Sequence, residues 1–81
     1  MNAVGIDVSK GKSTVAIMRP YGEIVASPFE INHTEDDFKK LVSQIQKLHG
    51  ESRIIMEYTG RYYEPLANYL YNAGLHVSVV N

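Results

Sequence analysis

Two stretches decide the reading of this chain: Val4-Gly5-Ile6-Asp7-Val8-Ser9-Lys10 and Arg53-Ile54-Ile55-Met56-Glu57. In the first, Val4, Ile6 and Val8 alternate with Gly5 and Asp7, the period of a β-strand with one apolar face. The second has the same form, an apolar strand that ends in an acid. Its run Ile54-Ile55-Met56 is continuous, as expected of a strand covered on both faces. Two apolar strands that each deliver one carboxylate, Asp7 and Glu57, point to a shared cation site, provided the fold makes them parallel neighbours. Ligands of such sheets collect beyond the carboxyl ends of the strands. Acids at exposed strand ends are also common without any function.

The remaining elements supply a frame for that pair. Ser9-Lys10-Gly11-Lys12 reads as a tight turn, and Ser13 to Met18 as a second strand rich in β-branched residues. Arg19-Pro20-Tyr21-Gly22 is a second turn. Glu23 to Ile31 is a third strand, which Pro28 makes an edge strand or a bulged one. The period then changes. Thr34 caps a helix whose apolar face is Phe38, Leu41, Val42, Ile45 and Leu48, with Glu35, Asp36 and Asp37 at the favourable end of its dipole and Gly50 ending it. Strand four follows, and then Thr59-Gly60, which reads as the cap of a second helix over Tyr62 to Ala73. That helix carries Pro65 in its first turn and Gly74 after its end. Leu75 to Val80 is a fifth strand. The order is β-β-β-α-β-α-β, a mixed α/β sheet with helices as crossovers.

Composition narrows the function classes. A chain of 81 residues is one domain at most, and at this size it buries only about 60–65% of its unfolded surface. With 44% hydrophobic and 21% charged residues it is a folded globule, not a disordered chain. A formal net charge of −1 excludes a nucleic-acid binder that works by bulk charge. The absence of cysteine excludes disulfides and thiolate metal sites and fits a reducing cytoplasm. No run is long enough for a membrane span, and no signal peptide is visible. His33, His49 and His76 have no metal-ligand spacing. Five of the six tyrosines lie between Tyr58 and Tyr71. Tyr63 falls on the apolar helix face, and Tyr71 falls with Glu64 and Asn68 on the polar face, where it is the better candidate for a partner contact. Lys10 and Lys12, in the hairpin after Asp7, are phosphate-contact candidates or ordinary solvated lysines. Thr59 is a lesser candidate for a metal or phosphate contact, and Arg61 for a pair with a phosphate or with Glu64.

Three blocks taken in order are more specific than any of these features. Gly5 to Lys10, then Met56-Glu57-Tyr58-Thr59-Gly60-Arg61-Tyr62-Tyr63-Glu64-Pro65-Leu66-Ala67, then Gly74-Leu75-His76-Val77-Ser78-Val79-Val80-Asn81 resemble the start of a bacterial insertion-sequence transposase. The family is the DEDD type, with a RuvC-like, ribonuclease-H-fold catalytic domain and a structured bridge RNA as guide. The resemblance implies that Asp7 and Glu57 are the first two acids of a metal-binding tetrad, serving Mg²⁺-dependent cleavage and rejoining of DNA strands. It also implies that residues 1–81 are the N-terminal portion of one RuvC-like domain. The remaining acids, and a second domain carrying a serine for strand transfer, lie downstream in the family. The isolated chain is then half an active site, inactive or nearly so. An uncovered fifth strand predicts a homo-oligomer. Two other readings stand beside this one. An actin- or sugar-kinase-type ATP-binding phosphotransferase would use the Gly5–Thr14 hairpin, with Lys12 and Ser13 as nucleotide contacts. A non-catalytic interaction module would use only the surface of the fold.

Overall fold

The computed structural model describes residues 1–58 and 60–81. Among these the chain forms β1 (Asn2–Ser9), β2 (Lys12–Met18), a 3-10 turn (Pro20–Gly22), β3 (Ile24–Asn32), α1 (Glu35–Gln46), β4 (Ser52–Tyr58), α2 (Glu64–Asn72) and β5 (His76–Val80). The expected element order is therefore observed. The strands make one sheet in the order β3-β2-β1-β4-β5. β1 pairs antiparallel with β2, and β2 with β3; β1 and β4, and then β4 and β5, are parallel.

One parity of each central strand is buried. Val4, Ile6 and Val8 of β1, Val15 and Ile17 of β2, and Ile54 and Met56 of β4 form one cluster with Phe38, Leu41 and Ile45 of α1 and Leu66 and Leu70 of α2. Because side chains alternate across a strand, both helices cover the same face. Each fully buried aliphatic side chain contributes roughly 1.5–3 kcal/mol relative to exposure. The opposite face is open. It carries Ala3, Gly5, Asp7 and Ser9 of β1 and Arg53, Ile55 and Glu57 of β4, all exposed. This corrects the two-sided burial expected for β4. Ile54 is 0% exposed but Ile55 is 44% exposed, because the described residues provide a helical layer for only one face.

Local chemistry sets the ends of the elements. Pro28 lies on the edge strand β3, and the β2–β3 register slips between Val15 and Ile17, where Pro28 sits, and again between Ile17 and Met18. The Thr34 hydroxyl accepts the Asp37 N–H at 3.2 Å and caps α1. The Asp37 carboxylate accepts from the Asn32 N–H at 2.7 Å, so it ties α1 to the end of β3 instead of closing back on Thr34. α1 ends at Gln46 with Lys47 as its cap, so Gly50 (φ 80°) does not end the helix and instead turns the chain toward β4. α2 begins at Glu64, later than its apolar pattern implied. Its N-cap is Tyr63, with no side-chain cap bond, so Gly60 is not the cap, and Thr59 lies outside the described residues. Pro65 falls in the first turn as expected. At the other end Gly74 (φ 83°) donates to Tyr71 O at 2.9 Å and Leu75 donates to Leu70 O at 3.2 Å. This is the Schellman closure that a left-handed glycine permits.

The first residue of β1 pins the central pair of strands. Asn2 is buried, its side-chain amide donates to His49 O at 2.8 Å, and its N–H donates to Glu51 O at 2.8 Å. These bonds lock Asn2 beside Ser52, which starts the β1–β4 register.

Candidate active site

Counting along that register from Asn2↔Ser52 brings Asp7 opposite Glu57. Neighbouring strands lie about 4.8 Å apart, and paired residues of parallel strands point to the same face. Both carboxylates therefore stand side by side on the open face, near the carboxyl ends of β1 and β4. They border a hollow of about 420 Å³ whose lining includes Gly5 and Thr14, Ala16 of β2, and Ile55. Among the described residues neither acid takes part in an ion pair or a side-chain hydrogen bond. Two adjacent carboxylates without a protein cation are hard oxygen donors of the kind that suit Mg²⁺ or a similar ion. The described residues contain no group of three or more His, Cys, Asp or Glu able to hold a metal, so they offer the pair alone. A somewhat larger hollow, about 450 Å³, opens at the other end of the sheet beside Arg53 and His76. It lies away from both acids, and size alone does not make it the functional one.

The other sequence candidates divide by position. Lys10 lies in the β1–β2 turn, Lys12 begins β2, and exposed Arg61 follows β4, so all three are at the end of the sheet that carries Asp7 and Glu57. The Lys12 ammonium is 3.3 Å from Glu30 Oε2, with both side chains more than half exposed. Such a pair is worth little and leaves Lys12 available to an anion. Arg61 forms no ion pair with Glu64 among the described residues. Tyr71 is 73% exposed but sits near the end of α2, which runs back to the start of β5 where His76 pairs with Arg53. It is thus on the helical layer toward the opposite end of the sheet from the acids. Thr59, the lesser candidate for a metal or phosphate contact, lies outside the described residues.

The nucleotide-contact reading of the hairpin meets a geometric obstacle. Lys12 and Ser13 project to opposite faces, and Ser13 is only 1% exposed. Its hydroxyl lies 2.8 Å from His33 Nε2, and the His33 ring rests tilted on Phe38. Desolvation by burial lowers the pKa of His33 from 6.5. His33 is therefore a packed, hydrogen-bonded residue that joins β2 to the start of α1, not a free loop histidine. Asn2 was not among the sequence candidates, and Thr14 figured only as the end of the Gly5–Thr14 hairpin. A polar residue opening a strand, and a threonine directly across from Asp7, were the signals available.

Comparison with known proteins adds identity to this geometry. The fold is similar to that of Archaeoglobus fulgidus Pelota (TM-score 0.62, 16% identity, over 99% of this chain and 26% of that one). It is also similar to Thermus thermophilus RuvC (TM-score 0.58, 12% identity, over 99% of this chain and 63% of that one). The chain spans about a quarter of the first protein and under two thirds of the second. At these identities the likeness is one of fold, and the fold is the RuvC-like form of the ribonuclease-H-like architecture. No curated protein sequence matches the chain. Residues 4–81, which include both acids and all the strands but the first residues of β1, match the family model described as transposase, of the DEDD insertion-sequence type. The chain belongs to the DEDD transposase family.

Proposed function

We propose that these residues are the N-terminal portion of one RuvC-like catalytic domain, and that Asp7 and Glu57 are two of the carboxylates that hold divalent metal, Mg²⁺, for cleavage and rejoining of DNA strands. The observation that carries this reading is the side-by-side register of Asp7 and Glu57 on parallel strands at the carboxyl end of the sheet. In the intact domain this would be a two-metal site, in which two such ions, held by Asp7, Glu57 and the further acids, would activate an attacking oxygen and stabilise a leaving oxygen at a phosphodiester. This chain's own contribution is to hold two oxygen donors on the rigid central strands and to present Lys10, Lys12 and Arg61 to the sugar-phosphate backbone at the same end. DNA is the substrate of this reading. A guide RNA, a homo-oligomeric assembly and a bacterial cytoplasmic setting go with it. Among the described residues no helix is long and apolar enough to cross a membrane. The isolated chain, with two acids, is inactive or nearly so.

The test is strand cleavage and transposition by the full-length transposase carrying Asp7→Asn or Glu57→Gln. Each variant is expected to lose activity while folding normally, and wild-type activity in either would overturn the proposal. The ATP-binding alternative is disfavoured by the opposite orientations of Lys12 and Ser13. ATP binding that depends on both would restore it. A purely non-catalytic module would show no Mg²⁺-dependent change at Asp7 or Glu57.

A further inference from the structure

The acids belong to a longer row across the open face. Asp7 pairs with Glu57 on one side and with Thr14 on the other, and Thr14 in turn pairs with Glu30. Thr14 is exposed and borders the same hollow as Asp7 and Glu57. Directly opposed residues of an antiparallel pair have Cβ atoms about 4.5–5.5 Å apart, within reach of a side-chain hydrogen bond. The hydroxyls near it are already engaged. Ser9 Oγ donates to Lys12 O at 3.1 Å, and Ser13 Oγ bonds His33. Thr14 Oγ1 has no side-chain partner among the described residues. Glu30 is the competing acceptor on its far side, an exposed carboxylate that lies 3.3 Å from the Lys12 ammonium.

We infer that Thr14 is a positioning residue for the carboxylate pair: the Thr14 and Asp7 side chains share no hydrogen bond in this structure, and when a divalent cation is held between Asp7 and Glu57 the Thr14 hydroxyl donates to the Asp7 oxygen that the cation leaves free. A carboxylate ligand that is itself hydrogen-bonded is held in one orientation, and removal of such a partner commonly weakens metal binding about 10–100-fold. Threonine suits the position because its β-branched shape also favours the strand. The inference rests on the reading of Asp7 and Glu57 as cation ligands.

The experiment is a MgCl₂ titration of the full-length transposase, isotope-labelled and followed at the amides of residues 7 and 57, on wild type and on Thr14→Val, Thr14→Ser and Asp7→Asn. Valine keeps the shape and strand preference of threonine, and thermal melting of each variant reports its fold. The expected result is wild-type affinity in Thr14→Ser, affinity about tenfold weaker in Thr14→Val, and no saturable response in Asp7→Asn. Equal affinity in wild type and Thr14→Val, with binding lost in Asp7→Asn, overturns the role of Thr14 and leaves the acid pair standing. A loss in Thr14→Ser as large as in Thr14→Val also overturns it, because the hydroxyl is then not what matters. No response in wild type, or an undiminished one in Asp7→Asn, removes the acid-pair reading itself.

Discussion

Asp7 and Glu57 stand opposite each other on parallel strands, although β2, β3 and α1 separate them in sequence. Two like charges directly opposed on a sheet destabilise it by a few tenths of a kcal/mol, up to about 1 kcal/mol. Neutralising one acid is therefore expected to leave the melting temperature unchanged or slightly raised in EDTA. Millimolar Mg²⁺ should raise the melting temperature of wild type, by linkage of binding to folding, and should leave Asp7→Asn unmoved. Paired thermal melts with and without Mg²⁺ test this. A lower melting temperature of Asp7→Asn in EDTA would mean that the carboxylate has a structural partner.

Ile54 and Ile55 are adjacent and chemically identical but lie on opposite faces of β4, the first sealed under the helices and the second half open. Ile54→Ala is expected to cost about 2–5 kcal/mol, the range for emptying a packed core site. In a small domain that is enough to unfold much of the population. Ile55→Ala is expected to cost under about 1 kcal/mol in this chain. Urea denaturation of the two variants gives the comparison, and equal costs would contradict the one-sided burial.

The part-buried Ser13–His33 contact gives the fold a pH dependence whose sign follows from the lowered pKa of His33. Burial disfavours the charged imidazole and lowers the folded-state pKa below its ordinary value of 6.5. The unfolded chain then binds the proton more readily. The contribution of neutral His33 is fully present above pH 6.5, and it is lost as pH falls from there through the lower folded-state pKa. Chemical denaturation at pH 7.5 and at about pH 5 should show a fall in stability that is smaller in His33→Asn. An equal fall in the variant would assign the dependence to other groups.

The two edges of the sheet differ. β3 carries Pro28, register slips and the Lys12–Glu30 pair, all of which discourage further pairing. β5, His76-Val77-Ser78-Val79-Val80, has no proline, bulge or formal charge when His76 is neutral, and Val79 and Val80 are exposed. The 81-residue chain is expected to self-associate through β5, and Val79→Lys to shift it toward monomer. Sedimentation equilibrium over a range of concentrations measures this. A concentration-independent monomer mass for wild type would contradict it.

Much of the fold was legible in local pattern. Strict alternation identified β1, Pro28 marked an edge strand, Thr34 marked the start of α1, and Gly74 marked the end of α2. Each of these signals acts within a few residues, through backbone sterics or one hydrogen bond. The failures had a common cause. The unbroken run Ile54-Ile55-Met56 looks the same whether one face or both are covered. Gly50 and Gly60 are turn glycines whose distance from a helix end depends on where packing stops the helix. Tyr71 is polar-faced on its helix, but which end of the sheet it reaches depends on the crossover. His33 gains its role only when β2 and α1 meet.

The sequence by itself determined the order of strands and helices, the parity that separates Val4, Ile6 and Val8 from Gly5 and Asp7, and the presence of one acid near the end of each of two apolar strands. Those are local properties of a backbone with period-two and period-3.6 side-chain placement. Only the tertiary structure decided that β1 and β4 are neighbours, that the bonds of Asn2 to the α1–β4 connection set the register pairing Asp7 with Glu57, and that Thr14 completes their row. Strand pairing of this kind is a contact between distant segments. It is selected by the burial of both apolar faces under the same two helices, a cooperative choice that no single stretch of the chain encodes.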